Sequence, residues 1–230
     1  MNALLLACAL LSPMPETAPP GLDYPLAPGS KWIYHIHHEL GEGVQFGEQD
    51  AAKATGNELD FTVVAQAAAT ETIGGKQYTR VEATREGKPW MTEWYRLTPD
   101  GLFVGKTVEY DSHSTHVMDP EQKRLSAQLT PGESWIWDPK DAPLRFKTTV
   151  VATEPVDVPA GHYQATRLVM TGMIKVDAGM VQIFEQTWFA PGVGIVKQDT
   201  DTLAQGHLLT RVVMTLEKFE PAPAPAKTPR

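Results

Sequence analysis

The chain has 230 residues, 42% of them hydrophobic and 21% charged, which is ordinary for a globular protein and excludes a largely disordered one. Its formal net charge is −8, and the lysines and arginines are scattered along the sequence instead of forming a basic block. We therefore expect neither nucleic acid nor an anionic membrane surface as a partner.

The N-terminus carries a short apolar run, from Ala3 to Leu11. It has the length of the hydrophobic part of a signal peptide and is too short to span a bilayer. It predicts an exported protein, although no basic residue precedes it; the alternative is an apolar N-terminus on a cytoplasmic protein. Cys8 is the single cysteine, so no intramolecular disulfide can form.

The segment from Leu5 to Cys8 resembles the lipobox of bacterial lipoproteins, which implies that Cys8 is acylated after cleavage. The alternative is ordinary signal cleavage between Ser12 and Pro20. We expect a location in the periplasm or the outer envelope, with a lipid anchor as the only membrane attachment.

The sequence divides into a lead-in segment at residues 1–22, a β domain at 23–220 and a disordered tail rich in Pro and Ala at 221–230. Within the β domain, stretches rich in Val, Ile, Thr, Tyr, Phe and Trp are broken by Gly, Pro, Asp and Asn, as in strands joined by turns. Helical spacing is almost absent. Short helices are predicted at Glu48 to Thr55 and at Pro120 to Gln128.

An internal repeat places one copy at about residues 26–110 and a second at about 129–220. Four landmarks recur in the same order: Pro28–Trp32 and Pro131–Trp135, Thr62–Ala65 and Thr149–Ala152, Tyr78 and Tyr163, and Trp94–Lys106 and Trp188–Lys197. We predict an all-β, mostly antiparallel sheet of 10–12 strands, curved like a half-barrel, with one or two short helices. Two small tandem β domains are the alternative.

The concave face of such a sheet must close, be covered or hold a ligand, and an apolar lining favours an apolar ligand such as an acyl chain or a lipoprotein. The candidate lining residues are large apolar side chains of the predicted strands: Phe61, Val63, Trp94, Phe103, Phe146, Val150, Phe184 and Trp188. An ordinary packed core would use the same residues. The equivalent places of Trp94 and Trp188 in the repeat favour packing, whereas Trp90 and Trp137, beside turns, are the candidate rim residues.

Polar residues that could form a metal site are His35 and His37, on one predicted strand, and Asp111, His113, His116 and Asp119, in a polar loop. Because Trp32, Tyr34 and Ile36 alternate with the two strand histidines, those histidines fall on the solvated face. We expect no metal ligands and no cofactor.

Catalytic motifs are also missing from the sequence: there is no Gly-x-Ser-x-Gly, and the single cysteine lies in the leader. Carboxylates such as Glu82 and Glu93 could meet across strands, but charged residues on the open face of a sheet have the same pattern. We expect no catalytic residues.

The segment Trp188–Lys197 is similar to one near the C-terminus of many uncharacterised bacterial envelope proteins. Those chains also carry an early Pro-Gly-x-x-Trp strand start, here Pro28–Trp32, and a Val-Pro-Ala-Gly-x-Tyr turn, here Val158–Tyr163. At the level of the fold the group resembles the lipoprotein carriers of the LolA and LolB type. The resemblance implies a half-barrel that holds acyl chains on its concave face, but it assigns no binding residue to this chain.

The leading hypothesis is a non-enzymatic exported envelope protein that binds an apolar ligand on a concave sheet. The second is a structural or protein-interaction module with a self-filled core, and the third is a metal-dependent hydrolase that uses the His35/His37 and His113/His116 groups. The sequence leaves the ligand, the partner proteins and the oligomeric state open.

Overall fold

Strands account for most of the chain, as the alternating sequence predicts. A computed structural model describes residues 22–139, 144–176 and 179–223. The predicted signal segment, the candidate lipidation site Cys8 and most of the predicted tail lie outside these residues. Within the described ranges, no helix is both long enough and apolar enough to cross a membrane.

All strands belong to one antiparallel sheet in the order β6-β5-β4-β3-β2-β1-β12-β11-β10-β9-β8-β7. A single helical turn, α1 (Glu48–Ala51), lies between β1 and β2. The strands are β1 (Lys31–Leu40), β2 (Glu58–Ile73), β3 (Lys76–Arg85), β4 (Lys88–Thr98), β5 (Gly101–Glu109), β6 (Ser114–Ser126), β7 (Ser134–Trp137), β8 (Leu144–Val158), β9 (Gly161–Val176), β10 (Gly179–Ala190), β11 (Gly194–Ala204) and β12 (His207–Glu220). The predicted all-β fold with almost no helix is confirmed.

The two end strands of the sheet, β6 and β7, meet through side chains. The indole Nε1 of Trp135 donates to the carbonyl oxygen of Lys123 at 2.9 Å, and Nε1 of Trp137 donates to that of Pro120 at 2.7 Å. The sheet therefore curls into a nearly closed barrel, more closed than the predicted half-barrel.

The first predicted repeat, at about residues 26–110, covers β1–β5, and the second, at about 129–220, covers β7–β12. In the first copy, the Gly29 amide donates to the carbonyl of Ala67, and the Ala67 amide donates to that of Ser30. In the second, Gly132, Val150 and Glu133 form the same two hydrogen bonds. Equivalent backbone bonds at the start of each copy place β1 and β7 in matching positions.

One landmark of the repeat is out of register in the structure. The matching backbone bonds align Ala67 with Val150, so the similar segments Thr62–Ala65 and Thr149–Ala152 are offset by four residues from structural equivalence. A slip by an even number preserves which side chains face inward, and for this reason the sequence pattern did not reveal it.

The predicted helix from Pro120 to Gln128 is wrong, because this segment forms part of β6. Val104 pairs with Gln122 and Phe103 with Lys123, so backbone bonds to β5 override the helix-forming composition. Gln122 and Arg124 face the inside of the barrel as a result. The predicted helix from Glu48 to Thr55 is present only as the turn α1.

Candidate ligand cavity

The barrel encloses a cavity of about 310 Å³, lined by side chains from every strand except β7. Successive residues of a strand point to opposite faces of the sheet, so the cavity lining identifies the inner face. On β1 this face carries Trp32, Tyr34 and Ile36. The other apolar lining residues are Tyr24, Val63, Ala65, Val81, Ala83, Trp90, Met91, Tyr95, Leu102, Leu125, Leu168, Met170, Ile195, Val212 and Met214.

Tyr24, in the segment that precedes β1, closes one end of the cavity. Its ring stacks on Phe189 with centroids 6.0 Å apart and on Tyr95 at 6.1 Å. Burial raises its pKa above the ordinary value. Tyr24 also packs against a buried apolar cluster that includes Val104, Val150 and Phe189, and this cluster fills the barrel at that end.

The segment around α1 partly covers the other end. Asp50 forms an ion pair with Arg85 at 2.7 Å, and the Arg85 guanidinium lies 4.0 Å from the centroid of the Phe61 ring. Trp90 meets Phe61 edge-on at 6.1 Å. These contacts hold an aromatic rim next to the cavity, and Trp90, the predicted rim residue, is itself part of the cavity lining.

Three charged side chains project from the inner face into the barrel: Glu93 on β4, Arg124 on β6 and Glu185 on β10. We refer to them together as the charged pole. Nη2 of Arg124 donates to Oε1 of Glu93 at 3.1 Å, and the hydroxyl of Tyr95 donates to Oε2 at 2.5 Å. Glu93 is therefore fixed by two donors on its two oxygens.

Glu185 is held by neutral donors. The Thr187 hydroxyl donates to its Oε1 at 3.0 Å, and the Gln198 amide donates to its Oε2 at 3.2 Å. Burial raises the pKa of Glu185, although Arg124 opposes the shift. Burial by itself would lower the pKa of Arg124, but the carboxylates of Glu93 and Glu185 raise it, so the guanidinium stays charged.

Four of the predicted lining residues lie on the inner face, and one of them lines the cavity. Val63 forms part of the cavity wall. Phe61 lies in the rim, and Val150 belongs to the buried apolar cluster that packs against Tyr24. Phe146 stacks on Trp137 at 6.0 Å, outside the lining.

The other four predicted lining residues, Trp94, Phe103, Phe184 and Trp188, point to the outer face. Each alternates with inward side chains, as Trp94 does with the cavity residues Glu93 and Tyr95. Sequence reasoning placed them inside because it identified strands without their facing. They do not line the cavity, so any contact of theirs with a ligand would be on the outside.

Trp94 belongs to an outer cluster with Glu71, Arg80 and Lys106. Its Nε1 donates to Oε2 of Glu71 at 2.9 Å, and Arg80 donates to the other carboxylate oxygen. Lys106 Nζ lies 4.4 Å from the centroid of the Trp94 ring. The cluster ties β2 to β4, two strands away.

Trp188 forms the same cluster in the second copy, with Glu154, Arg167 and Lys197. Its Nε1 donates to Oε1 of Glu154 at 2.8 Å, Arg167 is ion-paired to that oxygen at 3.1 Å, and Lys197 Nζ lies 4.9 Å from the ring centroid. The equivalence of Trp94 and Trp188 in the repeat is thus matched by equivalent partners, which supports the packing role expected from the sequence.

The two pairs of histidines considered as metal ligands in the sequence are well separated in the strand order. His35 and His37 lie on the outer face of β1, 3.2 Å and 3.0 Å from Asp60. His113 and His116 lie at the β5–β6 turn and on β6, with β2, β3 and β4 between them and β1. In the part of the chain that the structure describes, no group of three or more His, Cys, Asp or Glu residues is suited to hold a metal ion.

Sequence reasoning missed the charged pole altogether. Glu93 was paired with Glu82, but Glu82 faces outward and forms an ion pair with Arg80. Arg124 lay in a segment predicted as helix, which hid its inward position. The available signal was the alternation of Glu93 with Met91 and Tyr95, which puts a carboxylate on an apolar face.

Comparison with known proteins adds a partial family match. The DUF3108-like family model matches residues 145–204, which include the Val158–Tyr163 and Trp188–Lys197 segments noted in the sequence. No curated protein matches the chain.

Two crystal structures are similar, each at 13% identity over 87% of this chain and 99% of the other. One is a “putative exported protein with YmcC-like fold” from Bacteroides fragilis, with a TM-score of 0.49. The other is a “putative lipoprotein” from Parabacteroides distasonis, with a TM-score of 0.46.

Proposed function

We propose that this chain is a non-enzymatic exported protein of the cell envelope that holds an apolar ligand inside its barrel. The observation that carries the proposal is the cavity of about 310 Å³, which lies at the lower end of the volumes typical of small-molecule sites. Its wall is mostly apolar, with a few converging polar groups, as in such sites. The proposal includes a location in the periplasm or outer envelope, with Cys8 as the candidate anchor.

The shape of the barrel bears on the resemblance to the LolA and LolB type of carrier. A nearly closed barrel surrounds its ligand on all sides, and Tyr24 seals one end. A single acyl chain or a similarly small apolar molecule suits this space better than a large lipoprotein does. Binding of such a molecule is the part of that resemblance that we retain.

A neutral fluorescent probe, N-phenyl-naphthylamine, tests the cavity directly, because its emission rises in apolar surroundings. Met214 lines the cavity and Met173 lies on the outer face, where it is 47% exposed. We expect the wild-type chain and Met173→Trp to bind the probe. Met214→Trp should fill the cavity and abolish binding.

Two controls make the probe test decisive. Unfolding curves must show that both variants fold. If Met214→Trp does not fold, Val212→Phe provides a second, smaller obstruction of the same cavity. A wild-type chain that binds no probe, or a folded Met214→Trp that binds it fully, would refute the proposal.

An outer groove gives the interaction-module hypothesis its specific support. It has a volume of about 550 Å³ and is lined by Ile136, Met173 and Phe184, all exposed. If this groove were the binding site, Met173→Trp would lower probe binding and Met214→Trp would not. The same pair of variants thus separates the two candidates.

A further inference from the structure

In the charged pole each carboxylate oxygen already accepts a hydrogen bond, whereas Arg124 has donors without a partner among the described residues. Both oxygens of Glu93 accept from Arg124 and Tyr95, and both oxygens of Glu185 accept from Thr187 and Gln198. A carboxylate whose two oxygens already accept hydrogen bonds gains less from a ligand cation than an unpaired carboxylate would. The ligand group that fits the pole is therefore an acceptor.

Arg124 supplies the unused donors. A guanidinium carries five N–H groups in a planar fork. One hydrogen bond, to Glu93, is formed with the described residues, and Nε is buried without a partner among them. The side chain is 33% exposed, and it lines the cavity. Buried donors without a partner are rare in folded proteins, so an acceptor is expected here.

The hydroxyl of Thr107, which can donate one hydrogen bond and also accept, lies on the same face of the sheet as Glu93. Thr107 pairs with Glu93 across β4 and β5, is 6% exposed, and its hydroxyl has no hydrogen-bond partner among the described residues. The equivalent pair in the second copy, Thr187 and Gln198, has instead turned both of its polar groups to Glu185. On the inner face, Arg124 Nε and the Thr107 hydroxyl are thus both without a partner among the described residues, and both side chains belong to neighbours of Glu93.

The rest of the lining suits an aliphatic chain. Met91, Met170 and Met214 line the cavity together with Ile36 and Val212. Methionine side chains are flexible and polarizable, so they adapt to flexible apolar ligands.

We propose that the ligand is an amphiphile with a carboxylate head group, whose head accepts hydrogen bonds from Arg124 and whose aliphatic chain lies against the apolar wall of the cavity, which includes Met214 and Val212. The inference rests on the proposed function. The planar fork of Arg124 matches the two oxygens of a carboxylate, and charge-assisted pairs of this kind are among the stronger hydrogen bonds.

The charges of the pole allow a ligand carboxylate to bind beside Arg124. Glu93 and Arg124 offset each other, and they are the charged groups that face Glu185. Burial favours the neutral form of Glu185, so the pole need not present two carboxylates to the head group. A ligand ammonium would lie beside Arg124, which disfavours it.

Displacement of N-phenyl-naphthylamine by decanoate, decanol and decylamine tests the head group, since the three share one chain. In the wild type, decanoate should displace the probe at a concentration at least about tenfold below that needed for the other two. Arg124→Lys should reduce this preference. The double variant E93Q/R124Q, which removes the ion pair as a unit, should abolish it while decanol binds as before.

Arg145→Gln is the control, because Arg145 is 64% exposed and lines the outer groove. It should leave the preference unchanged. Equal displacement by all three ligands, or a preference that survives in a folded E93Q/R124Q, would overturn the carboxylate inference and leave the cavity proposal standing. If the wild type does not bind even the probe, both fail.

Discussion

Glu121, on the outer face of β6, joins three strands, and its neutralisation should cost more stability than loss of any exposed ion pair. Its carboxylate accepts from Lys76 Nζ at 2.9 Å, from Tyr78 Oη at 2.5 Å and from Arg96 Nε at 2.8 Å. Tyr78 reaches it across Gly105, where a Cβ atom would lie 2.5 Å from the ring. The substitution Glu121→Gln keeps the shape of the side chain and removes its charge.

The magnitude follows from the pKa of Glu121. Hydrogen bonds from Arg96, Tyr78 and Lys76 lower it to about 2 from the ordinary 4.5, against the opposing effect of burial. The side chain is 10% exposed, so water screens these interactions little. The shift corresponds to roughly 3 kcal/mol of stability at neutral pH. Glu121→Gln also leaves Arg96 and Lys76 without their counter-ion, so we expect a loss of roughly 2–4 kcal/mol.

Urea unfolding followed by tryptophan fluorescence measures this loss, and its pH dependence identifies the cause. Because the folded-state pKa lies below that of the unfolded chain, the stabilisation is complete above pH 4.5 and is lost as the pH falls towards 2. The difference between wild type and Glu121→Gln should therefore shrink over this range.

Glu220→Gln is the matched control. Glu220 also contacts two cations, Lys218 at 2.7 Å and Lys31 at 3.7 Å, but it is 39% exposed. It should leave the free energy of unfolding unchanged within error. A loss below about 1 kcal/mol for Glu121→Gln, or a loss that is the same at every pH, would refute the reasoning.

Four further substitutions probe the charged pole, the barrel wall and the two outer clusters. In the wild type, the free energy of unfolding should fall as the pH rises above 4.5, because folded Glu185 retains a proton that the unfolded chain releases. In urea titrations at several pH values, Glu185→Gln should remove the part of this decrease that is due to Glu185. Gly172→Ala should cost about 1–3 kcal/mol in thermal unfolding, because its Cβ would lie 2.0 Å from the Phe146 ring. Trp94→Phe and Trp188→Phe should each cost about 1.5–3 kcal/mol by urea unfolding, since each loses a hydrogen bond to a carboxylate.

Matched control variants test the physical reason for each of these predictions. Gly47 has φ −61 and open space around its Cβ position, so Gly47→Ala should be neutral, and an equal cost at Gly47 and Gly172 would contradict the packing argument. Trp90→Phe removes an indole that donates to none of the described residues. If it cost as much as Trp188→Phe, ring size and not the carboxylate bond would be the cause. A pH profile of Glu185→Gln parallel to that of the wild type would contradict the assignment of the titration to Glu185.

The fold could be predicted from the sequence because alternation and repetition are local signals. The pairs Trp94 with Lys106 and Trp188 with Lys197 were matched by order alone, and in the structure each pair faces across adjacent strands. The register shifts immediately after the tryptophan in both copies. A duplicated bulge keeps the same side chains outward, so the landmark survives in the sequence.

The facing of individual side chains could not be predicted in the same way. A shift by one residue exchanges the two faces of a strand, and bulges introduce such shifts where the sequence gives no sign of them. Phe103 was assigned to the interior, yet it lies outside beneath Arg96 at 5.3 Å and Lys123 at 5.6 Å. The charged pole was harder still to predict, because Glu93, Arg124 and Glu185 come together only when the sheet curls into a barrel.

Comparison of the two copies bears on the proposed ligand. On the outer face the carboxylate, arginine, tryptophan and lysine of the Trp94 cluster have equivalent partners around Trp188. On the inner face the pairing puts Glu93 opposite Thr107 in one copy and Thr187 opposite Gln198 in the other. A duplicated fold needs the same stabilising cluster in each copy, whereas a single ligand with two unlike ends needs two different halves of the inner face. A barrel that binds one asymmetric ligand would have matching side-chain clusters on its outer face and different side chains on its inner face.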